Sequence, residues 1–236
     1  MIDLSPPLLE VIVCSVEDAR AAERGGAGRL EIISHFEVGG LTPPLELVAE
    51  IMSAVKIPVR VMIRECEDFF SHDEKIIERL CESSRSFAEL CVDGLVLGFL
   101  IKESGQTGID HDLLAHVLSY APNQKATFHR AFELLPDPLR AIEGLKRHPQ
   151  IDRVLTSGGD GHWPKKVERL VEWQSAARPE IEILAGGGID AGTIGLLRRT
   201  AEIREFHVGR AAREGGSIEG GVKGDRVQAL VESIKS

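Results

Sequence analysis

The feature that most constrains this chain is a repeated alternation of two patterns. A short apolar run such as "LLEVIVCS", "RLEIIS" or "PVRVMIR" is followed each time by a longer stretch of helical period, such as "VEDARAAERGGAG", "PPLELVAEIMSAV" or "SHDEKIIERLCESSRSFAEL". The second half continues in the same way, through "GLVLGFL", "KATFHR", "RVLTSGG", "EIEILAGGG" and "EFHVGRAA", each with its own helical stretch behind it. About eight strand–helix units result, the count that closes a parallel sheet on itself. The expected fold is therefore α/β, a single-domain (β/α)8 TIM barrel over residues 1–236. An open doubly wound sheet would call for a glycine-rich first turn, and "VIVCSVEDA" is not one.

The length of 236 residues suits one such barrel, which takes ~250 residues in typical cases. A net charge of -9 offers no general attraction for phosphodiester backbones or anionic lipid, so nucleic acid and membrane are not expected partners. The start, "MIDLSPPLLEVIVCS", has no basic region leading into a long apolar stretch, and a cytoplasmic location is expected. The four cysteines show no C-x-x-C spacing, which favours reduced thiols over disulfides or a zinc ribbon.

In a closed parallel barrel, alternate strand residues point inward and their neighbours pack under the helices. Polar residues at period two therefore mark the interior. This places Glu10, Ile12 and Cys14 inside on the first strand, Glu31 and Ile33 on the second, and Arg60, Met62 and Arg64 on the third. The later strands send in Thr127 and His129, then Arg153, Leu155 and Ser157, then Glu182, and last Glu205 and His207. Val11, Val13, Ile32, Val61, Ile63, Phe128, Val154, Ile183, Phe206 and Val208 face the helices.

Barrel sites are built at the C-terminal ends of the strands. That favours Cys14, Arg64, His129, Arg130 and Ser157 as ligand contacts, with Glu10, Glu31 and Arg60 deeper, as site residues or as a structural ion pair. His129 and Arg130 are adjacent, so alternation sends His129 into the pocket and Arg130 outward or over the rim, to anchor the following loop through Glu133 or a backbone carbonyl, leaving Arg64 as the inward cation that meets ligand. A second signal is "AGGGID" with "HVGRAAR": Gly187, Gly188, Gly209 and Arg210 could cup an oxyanion or phosphate, or the glycines could serve tight closure.

The blocks "FEVGGLTPPLELV", "TFHRAFELLPDPLRAIEGL", "DRVLTSGG" and "ILAGGGI", spread in order over most of the chain, closely resemble the CutC copper homeostasis family. The resemblance implies a TIM barrel, a cytoplasmic protein, a homo-oligomer, a role in copper homeostasis and copper as a possible bound ion. By position it puts the strand-end polar set on Glu10, Glu31, Arg64, His129, Arg130, Ser157 and His207. Where the family often has cysteines near the ends of the first two strands, this chain has Cys14 alone, and Cys66 lies in the loop "IRECEDFF", so these two are the weak candidates for a metal. Two other functions fit the same residues. One is an enzyme for a small phosphorylated or carboxylated compound with His129 as acid or base; the other is a sensor of such a ligand. No lysine stands at an interior strand end, so Schiff-base chemistry has no candidate.

Overall fold

The structure is a computed structural model that describes residues 6–70, 73–103, 105–200 and 203–235. The strand–helix alternation is realised as β1 (Leu8–Val13), α1 (Val16–Arg24), β2 (Arg29–Ile32), α2 (Leu45–Ala54), β3 (Val59–Met62), α3 (Glu74–Glu89) and β4 (Gly94–Leu97). After a two-stranded insert of β5 (Leu100–Glu103) and β6 (Gln106–Ile109) come α4 (His111–Ser119), β7 (Lys125–Phe128), α5 (Pro138–Leu145), β8 (Ile151–Thr156) and α6 (Trp163–Ala177). The chain finishes with β9 (Glu182–Ala185), α7 (Ala191–Thr200), β10 (Glu205–Val208) and α8 (Gly224–Lys235).

Eight of these strands close in the order β1-β10-β9-β8-β7-β4-β3-β2, all neighbours parallel, which is the (β/α)8 barrel. The antiparallel hairpin β5–β6 lies outside it. The sequence reading took "GLVLGFL" as one strand; the structure ends the barrel strand at Leu97 and starts the hairpin at Leu100. Helix starts are marked by short polar side chains that accept otherwise unpaired backbone N–H groups. Ser15 caps α1, Asp73 caps α3, Asp110 caps α4 and Asp137, followed by Pro138, caps α5.

The strand parity holds throughout. Val11, Val13, Ile32, Val61, Ile63, Phe128, Val154, Ile183, Phe206 and Val208 belong to the large core between sheet and helices. Ile12, Ile33, Met62 and Val96 form a separate small cluster inside the barrel, with Cys14 and Phe36 packed on it. This apolar plug divides the interior into a charged layer toward the N-terminal ends of the strands and a cavity toward their C-terminal ends. No helix among the described residues is long and apolar enough to cross a membrane.

Candidate functional site

Charges in a barrel interior must be paired, because an unpaired buried ion costs several kcal/mol. The lower layer satisfies this with a closed network. Arg60, only 1% exposed, forks onto Asp152 at 2.7 and 2.8 Å, donates to the Thr127 hydroxyl at 2.7 Å and reaches Asp93 at 3.2 Å. Arg153 contacts Asp152 and bonds Glu205 at 2.6 Å; Arg29 bonds Glu205 at 2.9 Å and also grips Glu10. Arg60 and Glu10 are thus settled as parts of an ion network. Arg29 was missed in the sequence, although it shares the parity of Glu31 and one more step along β2 would have found it.

His207 links this network to the cavity. Its Nδ1 lies 2.8 Å from Glu10 Oε1 and its Nε2 lies 3.4 Å from Glu31 Oε2. Burial alone would raise the Glu10 carboxyl, but Arg29 and His207 hold it well below the usual carboxylate range. Burial would lower the His207 imidazole, but Glu31 and Glu10 raise it. At Glu31 burial outweighs the lowering by His207, Arg29 and Arg60: the carboxyl is pushed up to about 7, and its Oε1 has no hydrogen-bond partner among the described residues.

Donor atoms of Glu10, Glu31 and His207 lie within 4.8 Å of one another, close enough to share an ion. Both ring nitrogens of His207 face a carboxylate and Arg29 already holds Glu10, so protons and a guanidinium occupy the places a cation would need. The trio is an ion-pair chain of two carboxylates and one imidazole, without the thiolate or thioether ligands that select copper(I).

Above the plug opens a cavity of about 1230 Å³ at the C-terminal ends of the strands, lined in part by Glu31, His207, Arg64, His129, Arg130 and Glu133. His129 follows β7 and caps the 3-10 helix Arg130–Leu134: its Nδ1 accepts the Ala131 N–H at 3.2 Å. An accepting Nδ1 places the ring proton on Nε2, and Nε2 has no partner among the described residues. Burial, with the Arg64 charge nearby, pushes the imidazole down to about 3. The His129 imidazole is thus held neutral in the fold, with its Nε2–H as a hydrogen-bond donor.

Arg64 was expected to keep its charge for ligand. Its Nη1 instead donates to the carbonyls of Val38 and Gly40 at 3.2 and 3.0 Å, its Nη2 donates to that of Glu67, and its guanidinium stacks 4.6 Å from the Phe69 ring. Nε is buried and without a partner among the described residues, and remains available to another group. Phe69 in turn packs 5.1 Å from the His129 ring, so one aromatic side chain holds both donors in place.

Arg130 and His129 have the separate duties their alternation implies. Arg130 bonds Glu133 at 2.6 and 3.1 Å, while Glu133 accepts from the Ser157 backbone N–H and, at 3.1 Å, from the Thr156 hydroxyl. Glu133 is therefore the tie between the segments after β7 and β8, a role that strand periodicity could not show because Glu133 lies beyond the strand, in the 3-10 helix Arg130–Leu134. Ser157 is buried, with its hydroxyl 3.5 Å from Lys166 Nζ.

Gly187, Gly188, Gly209 and Arg210 all line the cavity mouth. Packing explains part of the pattern: a Cβ on Gly209 would run into the Phe36 ring, and one on Gly187, at φ +79°, would meet Ser157 Cβ at 2.9 Å. Asp190, whose carboxylate accepts the Thr193 N–H at 2.8 Å, already fills the N-terminus of α7. All four cysteines are free thiols and they do not converge. Cys14 lies 3.6 Å from Arg213 Nη2, Cys66 turns to the Asp68 carbonyl, and burial raises the Cys14 thiol.

Comparison with known proteins agrees with this architecture. A family model described as the CutC family matches residues 7–212. A copper homeostasis protein cutC homolog of Homo sapiens is 35% identical over 213 residues, 89% of this chain and 76% of the relative, and the Mus musculus homolog is 34% identical over 210 residues. A CutC family protein of Xylella fastidiosa is 33% identical over 199 residues, 84% of this chain and 73% of the relative. Among solved structures, a CutC protein of Streptococcus agalactiae superimposes with TM-score 0.77 at 24% identity, covering 86% of this chain and 98% of its own. A phosphoribosylanthranilate isomerase of Thermotoga maritima (TM-score 0.61, 10% identity, 98% of this chain and 99% of its own) shares the barrel alone. A match over most of the chain, with relatives above 30% identity, makes this chain a member of the CutC family.

Proposed function

We propose that this chain serves copper homeostasis, as the names of its relatives suggest, and that it does so by binding a small organic molecule with carbonyl, carboxylate or phosphate oxygens in the cavity at the strand ends. One observation carries this reading: three buried polar atoms, His129 Nε2, Arg64 Nε and Glu31 Oε1, have no partner among the described residues and belong to side chains lining the same cavity. Each such atom costs ~1–3 kcal/mol, and a ligand oxygen that accepts from His129 and Arg64 would offset that cost. Arg210 and the Gly187–Gly188 turn at the mouth are positioned for an anionic tail. The cytoplasmic location and homo-oligomeric assembly implied by the family resemblance belong to the same reading.

Direct copper(I) capture has less support, because copper(I) favours sulfur and the thiols are dispersed. Copper(I) binding is expected to be weak and substoichiometric. The test is metal analysis together with small-molecule mass spectrometry on protein purified without chelator. A retained oxygen-rich compound supports the reading; tight one-to-one copper that disappears in Cys14→Ser would overturn the ligand assignment.

A further inference from the structure

The cavity holds more than a binding arrangement. Among the polar side chains that line it, one carboxyl, Glu31, and two N–H donors, His129 and Arg64, carry a buried atom without a partner among the described residues, and no lysine or cysteine is among the described residues that line it. Covalent catalysis through an amine or a thiol therefore has no candidate there, whereas proton transfer does. Glu31 is 2% exposed, and its Oε2 is held by His207, which is itself held by Glu10. That chain fixes the carboxyl and leaves Oε1 without a hydrogen-bond partner among the described residues, on a side chain that lines the cavity. His129 presents Nε2–H with its tautomer set by the Ala131 N–H, and Arg64 presents Nε–H with both Nη groups tied to backbone carbonyls.

We propose that the cavity catalyses proton transfer at the carbon beside a carbonyl, with Glu31 as the base and His129 and Arg64 as the donors that hold the developing enolate. The inference rests on the small-ligand reading above and adds the reaction class. The Glu31 carboxylate takes the proton from the carbon; the C–H electron pair becomes the C=C bond, and the carbonyl π pair moves to oxygen, where the two N–H groups bind it. The protonated Glu31 then returns a proton to the same carbon as the enolate collapses to the carbonyl, so no oxidant, reductant or second substrate is needed. A carboxylate base facing a neutral imidazole donor is an established pairing for enolisation. His207 and Glu10 are positioning residues, acting through Glu31.

Environment supports the assignment. Glu31 meets His207 of β10, Glu10 of β1, Arg29 of its own strand and Arg60 of β3; burial outweighs the cations, and its carboxyl sits at about 7, where a base is half ionised near neutral pH. The rate is then expected to rise with pH through that value and level off.

The experiment uses the full chain in D2O with dihydroxyacetone, pyruvate and dihydroxyacetone phosphate as probes, following loss of C–H signal by proton NMR and binding by saturation transfer. The expected result is protein-dependent exchange in at least one probe, lowered ~10²-fold or more in Glu31→Gln while binding persists. His207→Gln should move the pH profile rather than abolish binding. Probes that bind without Glu31-dependent exchange overturn the proton-transfer inference and leave the ligand reading standing. Failure of every probe to bind or exchange overturns both. Thermal melts of the variants separate lost folding from lost chemistry, and a Glu31→Gln protein that melts as the parent does yet exchanges at the parent rate refutes the role.

Discussion

His129→Asn should make the protein less sensitive to acid, because His129 is a buried imidazole that must stay neutral in the fold. Its pKa falls from 6.5 to about 3 on folding. A group with a lowered folded pKa contributes stability that is present above the unfolded pKa and is lost as pH falls toward the folded one, here between 6.5 and about 3. At about pH 4.5 the unfolded chain gains nearly a full proton at this site and the folded chain almost none, over two units of pH. At 1.36 kcal/mol per unit this is a loss of about 3 kcal/mol. Asparagine places its side-chain oxygen near the Nδ1 position, so it can keep the bond from Ala131 N–H, but it cannot ionise. The variant should lose about 1–3 kcal/mol at neutral pH from ring packing against Phe69. The ring is only 3% exposed, so shortening it leaves a buried void. Urea denaturation of both proteins at about pH 7 and about pH 4.5 gives the double difference, from which the carboxylates common to both cancel. The stability gap should close by about 3 kcal/mol in acid. A gap of the same size at both pH values would refute a neutral, buried imidazole.

Two further substitutions test the packing of charge. Asp152→Ala leaves Arg60, whose side chain is 1% exposed, short of its forked partner and should destabilise by ~3 kcal/mol, seen as a clear drop in Tm; an unchanged melt would mean that Arg60 is satisfied by Asp93 and Thr127 alone. Arg130→Ala should cost under ~1 kcal/mol because its side chain is 51% exposed, whereas Glu133→Ala, which frees the Ser157 N–H and the Thr156 hydroxyl, should cost ~2 kcal/mol or more; equal losses would contradict the assignment of Glu133 as the tie between segments.

Much of this protein can be read from its residues because the rules that place them are local. Strand alternation depends only on the geometry of each residue and its neighbours, so Glu10, Glu31, Arg60, His129 and His207 could be assigned to the interior before any contact was known. The strand–helix count likewise requires nothing beyond short-range periodicity, and it leads to closure of the barrel. What a side chain meets once inside is set by other strands. Register brings His207 beside Glu10, and Glu10 beside Arg29, across gaps of 197 and 19 positions in the chain. From those meetings come the lowered Glu10 carboxyl, the raised Glu31 carboxyl and the difference between a structural ion pair and a group left open to the cavity. The segments beyond the barrel strands are the other gap: Glu133, Phe69 and the hairpin β5–β6 follow no period, so only the folded chain shows that Glu133 joins two such segments and that Phe69 holds Arg64 and His129. Arg64 illustrates the division: alternation could aim it inward, but only the fold of the segment from Phe36 to Gly40 brings up the carbonyls that occupy most of its guanidinium.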